Sequence, residues 1–518
     1  MRTNPYTQIN VINGAMHYLA GRGLAGVAGF LTIILLVRFM DVQNYAAYTA
    51  LSGLVAMCGV LAGLGMDRVV SRYVPEGRLN HSANELGRFI WLTSGMRLIA
   101  VLSIVLFLYF LWPMIDRILS VADFGTFSIA LACFIVGETM FQHFSSVLQS
   151  LVMQKTLTYL LIIQWAGRLI LIVTIVAMKS SISWEDALWI FSIPEILGVI
   201  CFVVAIKCHL YELSNPEQPK TSAERWPNWG NVTEVGMHNY GFTLMAAPPQ
   251  GYFMKLLTSA YLPAEIVAAY GFFLSIAERA RQYIPLHFFY ALLEPVLVAA
   301  YLKNRDFSTL SHRCQLLYKS SLLLMVPAIA WIGVAGDPVV SVITGGKFQG
   351  FSWILLVIMV QLTLGSHVVL LQLMLNSLEK SRLLLNASFY ALTAMLIVIT
   401  ISISTNPNCL LLTPLLYSLI INYYIVSQLW RQHYHYKPSW QMMRGVLFSG
   451  IMSFLFVSLA ANELTWRPIT LGMFSLVAVM VIYILGLWWT KAISKFEVQL
   501  VASMLPKTKI NSLYKTYL

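Results

Sequence analysis

Eight ionisable side chains lie inside long apolar runs of this sequence: Arg22, Arg97, Glu138, Arg168, Glu195, Glu278, Arg279 and Arg281. A charge held in hydrocarbon costs on the order of several kcal/mol unless it faces protein or water, so each is a candidate for work. Arginine offers a planar fork of donors that grips an anion at two points. Arg22, Arg97, Arg168, Arg279 and Arg281 are therefore candidate contacts for an anionic substrate. Glu138, Glu195 and Glu278 are candidates for holding the proton or sodium ion that drives a transport cycle. Plainer readings stand beside these. Glu278 and Arg281, three residues apart, could pair along one helix face. Arg97 or Arg168 could neutralise Glu138 between helices, and arginines near the end of a run could snorkel to the interface. Helix-bending residues accompany the charges: Gly23 and Gly26 beside Arg22, the Pro248-Pro249 pair, and Pro285 just beyond Arg281. Proline removes a backbone hydrogen bond and kinks a helix, which makes these positions candidate hinges. Glycine and proline are also common in membrane helices without any such role.

The elements that must carry these residues follow from composition. Of 518 residues 58% are hydrophobic and 11% charged, and the mean hydropathy is +0.71. A soluble chain carries roughly 25% charged residues, and one this apolar would expose large hydrophobic patches. Lipid is the natural solvent. A bilayer core needs about 20 apolar helical residues, and fourteen stretches qualify: 14–37, 44–64, 89–111, 124–148, 158–178, 187–206, 235–257, 266–286, 320–336, 351–375, 384–404, 410–429, 446–461 and 469–489. The first run is long enough to span, so no removable signal peptide is expected. With the N-terminus in the cytoplasm, 23 of the 34 Lys and Arg residues fall in inside segments and 6 outside, as the positive-inside rule requires. Both termini are thus expected in the cytoplasm. The formal charge of +12 reflects those loops rather than a nucleic-acid partner. The apolar stretch 288–300 either extends the eighth span or lies at the interface, and residues 496–501 are expected to form an interfacial helix. No outside loop is long enough to fold as a catalytic domain, and no P-loop or Gly-rich nucleotide fingerprint occurs. A transporter rather than an enzyme is expected, with no cofactor and no metal. The six cysteines are scattered without a CxxC pair and read as small buried hydrophobes.

An internal repeat organises the spans. Tyr45-Ala46-Ala47-Tyr48 opens the second span and Val267-Ala268-Ala269-Tyr270 the eighth. Leu151-Val152-Met153-Gln154-Lys155 follows the fourth, and Ser377-Leu378-Glu379-Lys380 the tenth. The two matches share nearly the same offset, as a duplication requires. The expected layout is an N-terminal lobe over 1–211, a cytoplasmic linker over 212–234, a C-terminal lobe over 235–432, two further spans within 433–490 and a cytoplasmic tail over 491–518.

Several short blocks resemble bacterial oligosaccharide flippases of the Wzx type, within the multidrug/oligosaccharidyl-lipid/polysaccharide exporter superfamily. They are Gly21-Arg22-Gly23-Leu24, Leu35-Leu36-Val37-Arg38-Phe39-Met40, Tyr45-Ala46-Ala47-Tyr48, Gly63-Leu64-Gly65-Met66, Arg72-Tyr73-Val74-Pro75-Glu76, Ala269-Tyr270 and Val342-Ile343-Thr344-Gly345-Gly346-Lys347-Phe348. The resemblance implies an all-α polytopic membrane protein of about fourteen helices, with two six-helix lobes around a central cavity plus two C-terminal helices. It implies alternating-access transport of undecaprenyl-diphosphate-linked oligosaccharide units from the cytoplasmic to the periplasmic face of the bacterial inner membrane. Membrane lipids, a polysaccharide polymerase and a chain-length regulator are the partners it suggests. The first and eighth spans border the cavity in such proteins, which singles out Arg22, Arg279 and Arg281 as diphosphate contacts. An ion-coupled multidrug exporter is the alternative, and a membrane polymerase or ligase a more distant one.

Overall fold

In hydrocarbon every backbone donor and acceptor must be satisfied within the chain, which leaves the helix as the structure for isolated apolar runs. The computed structural model describes residues 8–214, 226–378, 380–436, 440–462 and 467–492. Among these there are seventeen α-helices, one 3-10 turn and no strand. In chain order they are α1 (Gln8–Phe39), α2 (Val42–Leu61), α3 (Met66–Asn80), α4 (Ala83–Ile118), α5 (Ile129–Ser150), α6 (Gln154–Lys179), α7 (Trp184–Leu213), α8 (Trp229–Met245), α9 (Gly251–Tyr261) and α10 (Ala264–Arg281). There follow α11 (Pro285–Asn304), α12 (Phe307–Thr344), α13 (Ser352–Ser377), α14 (Ser381–Ser404), the 3-10 turn Pro407–Leu412, α15 (Thr413–Arg431), α16 (Trp440–Asn462) and α17 (Pro468–Trp489). Among the described residues eleven helices are long and apolar enough to cross a membrane. The all-α polytopic membrane architecture is borne out. The remaining three expected spans fall on α1, whose described apolar part is Gly23–Phe39, on the broken pair α8–α9, and on α10, which carries Glu265, Glu278, Arg279 and Arg281.

Three departures from the sequence reading have physical causes. The segment after the second span is helical: α3 turns Val69, Val70, Tyr73 and Val74 inward while Arg68 and Arg72 stay exposed, an amphipathic pattern too charged to register as a span. The eighth span stops at Arg281, and residues 285–304 form a separate helix with Pro285 at its start, where a missing N–H costs nothing. The ninth span begins at Phe307, capped by Asp306, and runs to Thr344 with non-helical geometry at Ala335, three residues before Pro338. The expected helix at 496–501 lies outside the described residues.

The chain divides into two compact units, Met1–Arg279 with Leu396–Thr413, and Ala280–Met395 with Pro414–Leu518. In the first, a core of Phe89 and Ile90 (α4), Phe141, Phe144 and Val147 (α5), and Phe202 and Ile206 (α7) packs on the inner face of α3. Close helix approach relies on small residues: a Cβ on Gly198 of α7 would lie 2.6 Å from the Phe141 ring of α5. The beginnings of α2 and α10, where the expected repeat has its matching segments, lie against each other. The rings of Tyr45 (α2) and Phe272 (α10) are 6.5 Å apart, and Gly271 lies against Thr49 so tightly that a Cβ there would overlap its side chain. In the second unit, α16 and α17 pack on α12. Trp331 Nε1 donates to the Gly472 carbonyl at 3.0 Å, and Lys319 Nζ donates to the Ala492 carbonyl. A partly buried relay joins α13 to α15 there, with His367 bonded to Asn422 at 2.8 Å and to the Tyr436 hydroxyl at 2.9 Å.

Candidate functional site

Four of the eight flagged charges converge within the first unit: Arg168, Glu195, Glu138 and Arg279. Arg168 and Trp165 are three residues apart on α6 and so share a face. The Arg168 guanidinium lies 4.1 Å from the centroid of the Trp165 ring and 4.5 Å from that of Phe191 on α7. Its Nη2 donates to Glu195 Oε1. Both partners are buried, Glu195 completely. Glu195 reaches this position because Gly137 of α5 leaves room: a Cβ there would stand 3.2 Å from the Cβ of Glu195. Arg168 Nε and Glu195 Oε2 have no hydrogen-bond partner.

Glu138, one turn of α5 before Gln142, accepts from Gln142 Nε2 at 2.6 Å. Its carboxyl lies near enough to that of Glu195 for the two to interact electrostatically. Arg279 on α10 completes the group. Its guanidinium carbon lies 3.9 Å from the centroid of the Trp165 ring, against the backbone of Gly29 on α1, where a Cβ would come within 3.2 Å of it. Arg279 forms no ion pair within 4 Å and no hydrogen bond among the described residues. The group thus holds two guanidiniums and two carboxyls, with the donors of Arg279 and Arg168 Nε open.

The other flagged charges lie elsewhere. Arg97, 1% exposed, donates to Asp67 of α3 at 2.6 Å. It therefore neutralises Asp67, which sits outside the expected spans, rather than Glu138. Arg281 and Glu278 are exposed and form no ion pairs among the described residues, so the suggested pairing along α10 is not made. The side chain of Arg22 lies outside the described residues. Among the hinge candidates, Pro248 and Pro249 fall in the break between α8 and α9, and Pro285 follows the break after α10. Helix α1 runs unbroken through Gly23 and Gly26.

Residues 11–292 match the family described as "Polysaccharide biosynthesis protein". The chain belongs to this family. Comparison with curated proteins gives no match. Among solved structures, the fold is similar to the lipid II flippase MurJ in an inward closed conformation, with a TM-score of 0.66 and 12% identity over 90% of this chain and 97% of that one. It is also similar to a mutant of the Vibrio cholerae MATE transporter VcmN, with a TM-score of 0.52 and 14% identity over 83% of this chain and all of the other. The expected resemblance to flippases is borne out at the level of family and fold.

For this polysaccharide biosynthesis protein, three members of the cluster escape a reading that follows charge alone: Trp165, Tyr48 and Gln142. Tyr48 stacks on Phe191, with ring centroids 5.5 Å apart, and Phe191 in turn packs on the Arg168 guanidinium. The available signal was spacing. Trp165 and Arg168 stand at i,i+3, and Glu138 and Gln142 at i,i+4, the separations that place side chains together on a helix.

Proposed function

We propose that this chain flips undecaprenyl-diphosphate-linked oligosaccharide units across the bacterial inner membrane for surface polysaccharide synthesis. It does so by alternating access between two lobes spanning residues 1–211 and 235–432, with both termini in the cytoplasm. The observation that carries this reading is Arg279: a guanidinium without a counter-ion, held on an indole beside the Arg168–Glu195 pair. Leaving a cation unpaired in a membrane protein is costly, and an anionic substrate removes that cost on binding. A diphosphate takes the planar fork of arginine at two points. The Glu138–Glu195 pair is the coupling site in this scheme. The α8–α9 break at Pro248-Pro249 and the glycines of α1 serve as hinges. A polysaccharide polymerase and a chain-length regulator are the partners of such a flippase, which itself catalyses no covalent step.

The test is flipping of a fluorescent undecaprenyl-diphosphate oligosaccharide in proteoliposomes, comparing wild type with Arg279→Ala and Arg279→Lys. Loss of flipping in an alanine variant that inserts and melts normally, with partial retention in the lysine variant, supports the reading. An alanine variant at wild-type rate removes Arg279 from the mechanism. A wild type inactive on several sugar lipids removes the substrate class.

A further inference from the structure

A second polar site lies in the first unit, beside the charged cluster. It is a cavity of about 380 Å³ between the end of α2, the start of α3, the second half of α5 and α8, lined among others by Asp67, Arg68, Gln142, Asn239 and Tyr240. That volume falls within the range of roughly 300–1,000 Å³ typical of small-molecule sites. Its walls are fixed by tertiary contacts. The Tyr240 hydroxyl donates to the Leu61 carbonyl at 2.8 Å and pins α8 to the end of α2. Gly65, at φ +69°, brings the α2–α3 turn against the backbone of Gly236.

The cavity leaves both acceptor and donor valences open. Asp67 Oδ1 is held by Arg97 at 2.6 Å, and Oδ2 has no partner. Asn239 spends Nδ2 on the Val235 carbonyl at 2.8 Å, and its Oδ1 has none. Gln142 spends Nε2 on Glu138, and its Oε1 has none. Three open acceptor oxygens and the second N–H of each amide match sugar hydroxyls, which both donate and accept. Asp67 is neutralised by Arg97, and the guanidinium of Arg68 also lines the cavity. The cluster around Arg279 differs in holding two guanidiniums against one indole. Gln142 belongs to both, since it lines the cavity and bonds Glu138.

We infer that this cavity binds the neutral sugar residues of the transported lipid while the Arg279 cluster binds its diphosphate. The inference rests on the flippase reading above and adds to it a sugar subsite made of α3, α5 and α8. Planar amide and carboxylate groups suit the vicinal hydroxyls of a pyranose, and the Tyr240 ring offers an apolar surface for its C–H face.

The experiment measures binding to the full chain in nanodiscs with two probes: undecaprenyl diphosphate, and the same lipid carrying a neutral oligosaccharide. Wild type is expected to bind the glycosylated lipid more tightly. Asn239→Leu is expected to weaken the glycosylated lipid about tenfold and leave the sugar-free lipid unchanged, whereas Arg279→Ala weakens both. The inference is overturned if wild type binds the two probes equally, or if Asn239→Leu, with normal melting, leaves both affinities unchanged or reduces both alike. In those cases the diphosphate site and the flippase reading survive. If wild type binds neither probe, the flippase reading falls and the sugar subsite falls with it.

Discussion

Arg279 and Arg168, from helices far apart in sequence, both lie over the indole of Trp165, at 3.9 and 4.1 Å from its ring centroid. An aromatic face attracts a cation by about 0.5–2 kcal/mol, more when water is excluded. One tryptophan thus holds two like charges that would otherwise repel. Trp165→Ala is expected to let the guanidiniums shift apart and to slow flipping roughly tenfold, as a loss of about 1.4 kcal/mol implies. Trp165→Phe, which keeps a ring, should lose less. Initial flipping rates, measured beside melting temperatures in detergent, check this. An alanine variant that melts as wild type does and flips at full rate would remove Trp165 from the site.

The Arg168–Glu195 pair is buried on both sides, and each partner already carries one unsatisfied polar atom. Removing one member leaves the other charged and unpaired, which typically costs about 3–5 kcal/mol. Arg168→Ala should therefore lower the melting temperature sharply. The double variant Arg168→Met with Glu195→Gln should recover most of the loss, because replacing both partners of a buried pair is often close to neutral. Equal instability of the single and double variants would show that Arg168 matters through its packing on Trp165 and Phe191 rather than through its charge.

Eleven of the fourteen expected spans were legible as spanning helices because an apolar run of that length has one structural solution in lipid, and the charges within the runs stood out for the same reason. Their partners were not legible. Asp67 neutralises Arg97, yet it lies in a segment whose Arg68, Arg72 and Glu76 hid the amphipathic helix α3. Whether Arg279 met Glu138, Glu278 or an indole depended on how α1, α6 and α10 approach one another, and no local spacing encodes that. The helix ends at Arg281 and the kink at Ala335 were partly announced by Pro285 and Pro338. Proline marks where a helix is weakened without saying whether it breaks or bends.

Gly65 adopts φ +69° in the turn between α2 and α3, and a Cβ there would run into the backbone of Gly236. The left-handed conformation alone costs a non-glycine residue roughly 1–2 kcal/mol, and the clash with backbone cannot be relieved by a rotamer change. Gly65→Ala is expected to lower the melting temperature and to separate α3 from α8. Cysteines placed at Arg68 and Asn239 on the two walls would report this separation as slower cross-linking. A stable Gly65→Ala protein with unchanged cross-linking would contradict the assigned role of the turn.

Gly29 and Gly23 occupy the same helix in different surroundings, and substituting each separates two explanations for the glycines of α1. At Gly29 a Cβ would stand 3.2 Å from the guanidinium carbon of Arg279, whereas at Gly23 nothing lies within 4 Å. Arg279 ends a flexible side chain, so it yields rather than the helix. Gly29→Val is accordingly expected to displace it from Trp165 and reduce flipping severalfold, with little change in melting temperature. Gly23→Ala meets no obstacle and should raise helix stability by about 0.5–1 kcal/mol. If glycine serves only to make room for Arg279, Gly23→Ala flips at the wild-type rate. If α1 must bend at Gly23 during the cycle, the same variant is more stable and slower, and the melting temperature and initial rate of that one protein distinguish the two.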